Sequence, residues 1–482
     1  MIFNSIDFAI FFPFVFFTYW FLLNHNLKLQ NAFIVVASYI FYGMWDWRFL
    51  FLILLSTIVD FTVGIGLSTS FKQQKRKIWL WISIFVNLGL LGFFKYANFF
   101  IESFTQTFSL FGVKLAGSSL NIILPVGISF YTFQTLSYSI EVYKKKIEPT
   151  RDFIAFASFV SFFPQLVAGP IERATHLLPQ FYRKRTFDYN QAVNGLRQIL
   201  WGLFKKMVIA DNCATIANQI FNHSDGYNGS TLLLGVFFFS FQIYGDFSGY
   251  SDIAIGCSRL LGFDLMQNFA TPYFSRDIAE FWRRWHISLS TWFRDYLYIP
   301  LGGSRGGTWN TIRNIFIIFF VSGFWHGANW TFIVWGLIHA LFFLPLLLVK
   351  KNRTHLDVVA KGRLLPTMNE CFGMLSTYAL SLFAWIFFRA ENLSHAGNII
   401  TEIFSPSLFS FPQLPNLIHV IATVATLLFF VSLEWLGREQ RFALERLGFS
   451  WPTWFRLSFY ASLCITIFLL AGQQQAFIYF QF

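Results

Sequence analysis

Residues 329–349 read NWTFIVWGLIHALFFLPLLLV. These 21 residues hold no Asp, Glu, Lys or Arg, and Lys350 and Lys351 follow at once. A helix rises about 1.5 Å per residue, so roughly 20 apolar residues cross about 30 Å of hydrocarbon. The stretch is read as a membrane span that ends in water at its lysines. The same pattern recurs outward along the chain, with candidate spans at 7–23, 32–46, 49–67, 79–97, 120–141, 152–168, 191–212, 231–248, 251–263, 311–325, 371–388, 416–436 and 454–472. Segments 251–263 and 311–325 are too short to cross alone. They are expected to be half-helices or re-entrant pieces enclosed by protein or a water-filled cavity.

Composition agrees. Hydrophobic residues make up 55% of the chain and charged residues 12%, whereas a soluble chain carries about 25% charged residues. Phe contributes 67 of the 482 residues, so the excess surface suits lipid rather than water. The net charge of +12 is not attached to a solvated basic domain, so no nucleic-acid partner is expected. Membrane lipids are. The basic residues cluster in loops at 72–77, 144–146, 183–185, 350–353 and 438–446, which the positive-inside bias assigns to the cytoplasm. Working from the nearest loops puts both termini outside. The first 27 residues hold no Lys or Arg, so the first segment reads as a permanent span and not a cleaved signal. Cys213, Cys257, Cys371 and Cys464 have no metal or redox spacing and are read as apolar fillers.

Three stretches look interfacial: 97–112, 393–405 and, above all, 276–297. In the last, Ile278, Phe281, Trp282, Trp285, Leu289, Trp292 and Phe293 recur at a helical period. Glu280, Arg283, Arg284, Ser290, Thr291 and Arg294 take the other side, which suits a headgroup boundary. The fold class is therefore all-α: a polytopic integral membrane protein of about eleven to thirteen transmembrane helices with re-entrant and interfacial helices, forming one membrane domain over 1–482.

Ionisable residues at membrane depth are functional candidates by default. His326 stands first, in Trp325-His326-Gly327-Ala328-Asn329-Trp330. The twelve residues from Asn314 to Trp325 climb only about 18 Å, so His326 is expected at a helix break inside the membrane, with Gly327 allowing the turn. An imidazole there suits taking a proton from an acceptor hydroxyl and returning it. Asn329 either orients that imidazole, donates to an oxyanion, or satisfies a freed backbone group. His286, beside the apolar stripe, either positions substrate or bonds to a loop. Arg283, Arg284 and Arg294 are expected to bind phosphate, of a lipid headgroup or of a donor. His339 lies thirteen residues after His326, about 20 Å along a continuous helix, and no histidine pair has zinc spacing. No metal is expected. Asp246 and Asp252, in Tyr244-Gly245-Asp246-Phe247-Ser248-Gly249-Tyr250-Ser251-Asp252, line a polar cavity or pair with the Arg-rich helix. Gln165 falls in the Pro- and Gly-containing stretch 163–173, irregular backbone expected in a cavity wall or the protein interior.

These stretches together resemble the membrane-bound O-acyltransferase family, most closely its bacterial, alginate-acetylating branch. The resembling pieces run in order: Phe94–Phe99, Leu124–Tyr131, Ala168–Ile171, Asp246–Asp252, Glu280–Ile299, Gly302–Gly307, Trp325–Trp330 and the closing Phe477–Phe482. The region 124–340 carries the most specific part. The resemblance implies a ring of tilted helices around a thin centre where His326 is catalytic and His286 is the second family histidine. Trp325, Asn329, Asp246, Gln165, Arg283 and Arg284 are the substrate-binding candidates. It implies no bound cofactor, an acyl donor that is acetyl-CoA, and a polysaccharide acceptor. It also implies an extracytoplasmic acetyltransferase partner, since no soluble domain follows the last span. The expected place is the bacterial inner membrane. Rival functions are D-alanyl transfer to teichoic acid, peptidoglycan O-acetylation, a transporter or flippase for a lipid-linked sugar, and an inactive scaffold. No inverted repeat favours the transporter.

Overall fold

The computed structural model describes residues 1–112 and 120–478. These residues are helical, with no strand among them. Seven helical stretches among the described residues are long and apolar enough to span a membrane: Leu27–Thr69, Gln73–Leu110, Gly229–Leu260, Trp330–Leu348, Met368–Arg389, Leu417–Gly437 and Thr453–Leu470. That is fewer than the about eleven to thirteen expected from roughly 20-residue runs. Leu27–Thr69 contains two of the expected spans, parted by a short turn at Trp47–Phe49 that Asp46 caps. Other expected spans are broken into shorter helices, such as Phe153–Ser161. The outward faces are apolar: Phe372 is 76% exposed, Ile418 81% and Phe468 86%. Side chains so placed fit a lipid-facing helix and not a watery one. The chain is a multi-pass membrane protein.

The contacts gather into two compact units. Unit 1 is Met1–Val193 with Cys257–Met266, and unit 2 is Asn194–Gly256 with Gln267–Phe482.

In unit 1, α1 (Leu50–Thr69), α2 (Gln73–Leu91) and α3 (Ile128–Tyr143) pack together. Lipid gives helices little apolar reason to associate, so packing and interhelical hydrogen bonds must hold them. Here Asp60 of α1 accepts from Ser83 Oγ, from Ser139 Oγ at 2.6 Å and from Asn87 Nδ2 at 2.7 Å. The Asn87 carbonyl in turn accepts from Ser56 at 2.9 Å and Thr135 at 3.0 Å. The stretch 163–173 is protein interior, as one of its two readings held. Every residue from Phe163 to Arg173 is buried, and a Cβ on Gly169 would stand 2.4 Å from the Gln165 Cα.

Unit 2 departs from expectation in α4 (Gly229–Leu260), which runs unbroken for 32 residues and replaces the two segments 231–248 and 251–263. Its polar middle does not break it, because two things compensate. Gly249 and Gly256 let the backbone press on Gly202 and Gly195: an added Cβ would meet their carbonyl oxygens at 2.8 and 2.6 Å. The carboxylates are neutralised by two lysines in the π-helical turn Phe204–Ala210. Lys205 Nζ lies 2.6 Å from Asp252, and Lys206 Nζ lies 2.8 Å from both Asp246 and Asp211. Of the two readings for these carboxylates, a polar cavity or pairing with the Arg-rich helix, the second is not how they are paired. Lysines closer to hand do that work.

The second departure is 276–297, which is two short helices, α5 (Ile278–Arg284) and α6 (Ile287–Phe293), and not one interfacial helix. Trp285 is extended and His286 is left-handed at φ 44°. The break is held from outside. Ala270 N donates to Arg284 O at 3.0 Å, and Ile287 N donates to Asn268 O at 2.9 Å. Another expected interfacial piece, 393–405, is largely the helix Leu393–Ile403, and Ala396, Ile399 and Ile403 are its buried face. Then come α7 (Thr308–His326) and α8 (Trp330–Leu348), which pack as a hairpin. An added Cβ on Gly323 would stand 2.3 Å from Phe332 O, and one on Gly336 2.2 Å from Phe319 O. Helix α9 is Leu393–Ile403. Of the closing Phe477–Phe482, only Phe477 and Ile478 are among the described residues.

Candidate active site

The hairpin of α7 and α8 places His326. The last residue of α7 is His326, and Gly327 continues in extended backbone at φ −165° and ψ 154°. The break is where the sequence put it, but the reason for the glycine differs. Any residue adopts that φ. What excludes a side chain is space: a Cβ on Gly327 would lie 2.2 Å from the Phe332 ring. Asn329 then caps α8, its Oδ1 accepting from Thr331 N at 3.0 Å, while its Nδ2 donates to Glu391 O at 2.8 Å. Of its three readings, the geometry supplies the backbone-satisfying one, with the Nδ2 already given to Glu391 O.

His326 is 2% exposed inside an aromatic wall. Ring centroids of Trp325 and Trp335 stand 5.0 Å from its own, and that of Phe388 5.3 Å. His286, 1% exposed, comes to 6.5 Å between ring centroids and lies 5.9 Å from Trp325. The structure therefore brings together His326, His286 and Trp325.

The bend at Trp285 and His286 aims His286. Its Nδ1 sits 3.0 Å from Asn268 Oδ1, which also accepts from Ser288 Oγ at 2.9 Å. Asn268 Nδ2 donates to Ser251 Oγ at 3.0 Å, which fixes the amide with its oxygen toward the histidine. An amide oxygen only accepts, so the His286 proton is on Nδ1 and Nε2 carries the lone pair. Phe247 stacks edge-on to the same ring at 4.7 Å. Asn268 was not singled out in the sequence. It stands between Gln267 and Phe269, and no motif marks it.

Arg283 and Arg284 do not present free guanidinium groups for phosphate. Arg283 donates to Asn352 O at 2.9 Å and His355 O at 2.7 Å. Arg284 pairs with Glu280 at 2.9 Å and donates to Asp357 O at 3.1 Å. Both hold the backbone of the 352–357 loop. Asp246 belongs to the lysine cluster and accepts from Ile478 N at 2.7 Å. Gln165 is in unit 1, buried, with its amide donating to Phe159 O at 3.2 Å. The buried Lys205 and Lys206 were passed over because an apolar count over 191–212 absorbs them. Two adjacent lysines inside a 22-residue apolar run were the signal.

His339 also needs correction. The 20 Å separation assumed one continuous helix, but the chain reverses after His326. Trp335 lies between the two histidines, its ring 5.0 Å from His326 and 4.9 Å from His339. No cluster of three or more metal-ligating side chains occurs among the described residues. A separate apolar cavity of about 360 Å³ in unit 2 is lined by Tyr244, Tyr273, Leu375, Tyr378 and Phe430. Its carboxylate, Glu434, is tied to Trp201 Nε1 at 3.0 Å and Tyr244 OH at 2.6 Å. It holds neither histidine.

Residues 145–388 match the membrane-bound O-acyltransferase family. The chain is 38% identical over 423 residues to a probable alginate O-acetylase of Azotobacter vinelandii, covering 87% of this chain and 82% of that protein. It is 35% identical to a peptidoglycan O-acetyltransferase of Helicobacter pylori, over 78% of this chain and 74% of that one. It is 30% identical to a teichoic acid D-alanyltransferase of Streptococcus thermophilus, over 50% of this chain and 62% of that one.

Proposed function

Because this chain belongs to the membrane-bound O-acyltransferase family, we propose that it moves an acetyl group from acetyl-CoA on the cytoplasmic side to hydroxyls of an exported or cell-surface polysaccharide, with His326 as general base. The observation that carries this reading is the burial of His326 at a helix end in an aromatic wall, with His286 6.5 Å away between ring centroids. In such a site His326 takes the hydroxyl proton as the oxygen attacks the acyl carbon, then returns it to the leaving thiolate. Proton transfer of this kind is worth about 10²–10⁴-fold. The fixed Nδ1–H tautomer of His286 leaves its Nε2 as an acceptor, suited to orienting a hydroxyl beside His326. Trp325 forms part of the wall between the two.

Acetyl transfer is favoured over D-alanyl transfer because relatives named for acetylation match 78–91% of the chain, whereas those named for D-alanyl transfer match 46–50%. The acceptor is a polysaccharide of the alginate kind. The protein sits in the bacterial inner membrane with both termini outside, since the Lys- and Arg-rich loops belong to the cytoplasm. A separate extracytoplasmic protein completes the transfer. The test is acetyl release from the surface polysaccharide of cells carrying wild type or His326→Ala at matched membrane levels. Loss of acetyl with export intact is the expected result. Unchanged acetylation removes His326 from catalysis, and a halt in export points to a transporter.

A further inference from the structure

Helix α8 carries three buried side-chain donors without an acceptor among the described residues, the Thr331 hydroxyl and the N–H groups of Trp335 and His339, and the two N–H groups lie beside the histidines. His339 Nδ1 accepts the Trp282 indole N–H at 3.3 Å. Its own proton is therefore on Nε2. Among the described residues, neither that Nε2–H nor the indole Nε1–H of Trp335 has a hydrogen-bond acceptor. Both side chains are buried, His339 at 1% exposure and Trp335 at 0%. Residues four apart share a helix face, and the two rings stand 4.9 Å apart. The Trp335 ring stands edge-on to His326 at 5.0 Å and 85°.

A buried donor left without an acceptor costs about 1–3 kcal/mol, and native interiors rarely leave one. Two on one face, one of them against the candidate base, need an acceptor that arrives with the reaction. An acyl transfer supplies one. As the acceptor hydroxyl oxygen bonds to the acyl carbon, the carbonyl π pair moves onto the carbonyl oxygen. That oxyanion needs N–H donors already in place, in a dry site where they act most strongly.

We propose that the Trp335 indole N–H and the His339 Nε2–H are the oxyanion donors of this site. The inference rests on the acyltransferase reading. The hydroxyl proton passes to His326, the C–O bond forms, and the two N–H groups hold the oxyanion. When the pair returns, the C–S bond breaks and the thiolate takes the proton from His326. Both residues would then touch the reacting carbonyl and are catalytic residues. The surrounding rings, Phe319 and Phe281 among them, stack on His339 at 6.3 and 6.1 Å and exclude water.

The test uses the full chain in membrane vesicles that contain acceptor polymer, with labelled acetyl-CoA as probe. Wild type and His326→Ala come first. Transfer by wild type and not by His326→Ala establishes the underlying reading, and no transfer by wild type sinks that reading and this inference with it. Trp335→Phe keeps a ring and removes the N–H. His339→Phe removes the donor, and His339→Gln restores an N–H near the same place. The expected result is a kcat about 10²–10³-fold lower in each Phe variant, the loss seen when one oxyanion donor is removed, with KM held within about threefold. His339→Gln recovers part of that loss, and the thermal midpoint of purified Trp335→Phe matches wild type. Full kcat in Trp335→Phe overturns the donor pair alone. So does a loss that follows the thermal midpoint with Gln no better than Phe at 339, because that is a packing role.

Discussion

Two buried polar regions of this protein are built in opposite ways. In unit 1, the Asp60 carboxyl has a hydroxyl or amide donor from Ser83, Asn87 and Ser139, and Asn87 is satisfied in turn by Ser56 and Thr135. In unit 2, around His326, the Trp335 and His339 N–H groups meet no acceptor among the described residues. Both regions sit in a chain whose surroundings are hydrocarbon, where a polar group without a partner is expensive. The closed network ties three helices together. The open one is a place prepared for something the protein does not itself contain. Burial alone does not separate the two uses, since Asp60 and Trp335 are both 0% exposed. Satisfaction does.

The lysine cluster of unit 2 pairs buried charges, and breaking it gives the largest expected stability effect. Lys206→Met leaves Asp246 and Asp211 buried without their cation. Removing one partner of a buried pair costs about 3–5 kcal/mol. Unfolding of the purified protein in detergent should show that loss, and adding Asp246→Asn should restore part of it. A double variant no more stable than Lys206→Met would mean the lysine acts by packing alone.

Ser139→Ala sharpens the comparison at lower amplitude. It removes one donor from Asp60, for an expected loss of about 1–3 kcal/mol. Transfer per folded molecule should stay at the wild-type value, the reverse of the pattern expected for Trp335→Phe. A Ser139→Ala protein that folds as well as wild type but transfers slowly would erase the distinction between the two regions.

The smallest effect lies outside the spans, at His176. Its side chain is held by Asp264 and Glu172, at 3.6 and 2.7 Å, and these carboxylates raise its pKa from 6.5 to about 10. A pKa raised on folding stabilises the native state fully below the unfolded value and loses that contribution as pH climbs through the folded one. The stability difference between wild type and His176→Gln should be whole at pH 6 and should fade between about 6.5 and 10. Because this histidine is partly solvated, the effect is modest. A difference that stays constant with pH would show that the ion pair contributes nothing.

Much of this was legible in the sequence, unevenly. The membrane class followed from uncharged runs such as 329–349, because crossing hydrocarbon demands length and apolarity together. The helix end at His326 was placed correctly but not for the shortness assumed, since the helix begins at Thr308 and runs for 19 residues. Errors came wherever a distant residue decided the outcome. Helix α4 stays whole because Lys205 and Lys206 reach its carboxylates, and helical periodicity within one segment cannot see another. The bend at His286 is made by Asn268, eighteen residues away. His339 was set aside by counting along a helix that in fact turns back. Gly327 was right in place and wrong in cause, since a ring's approach leaves no trace in local backbone preference. Arg283 and Arg284 looked free for phosphate because the carbonyls of the 352–357 loop are invisible until the chain folds.

The most direct measurement is the flow of label from radiolabelled acetyl-CoA, supplied to the cytoplasmic face of membrane vesicles, into polymer, for wild type and His326→Gln at equal protein. The account predicts steady incorporation by wild type and a rate lower by about 10²–10⁴-fold in the variant, with equal thermal midpoints. Equal incorporation by both proteins would contradict it.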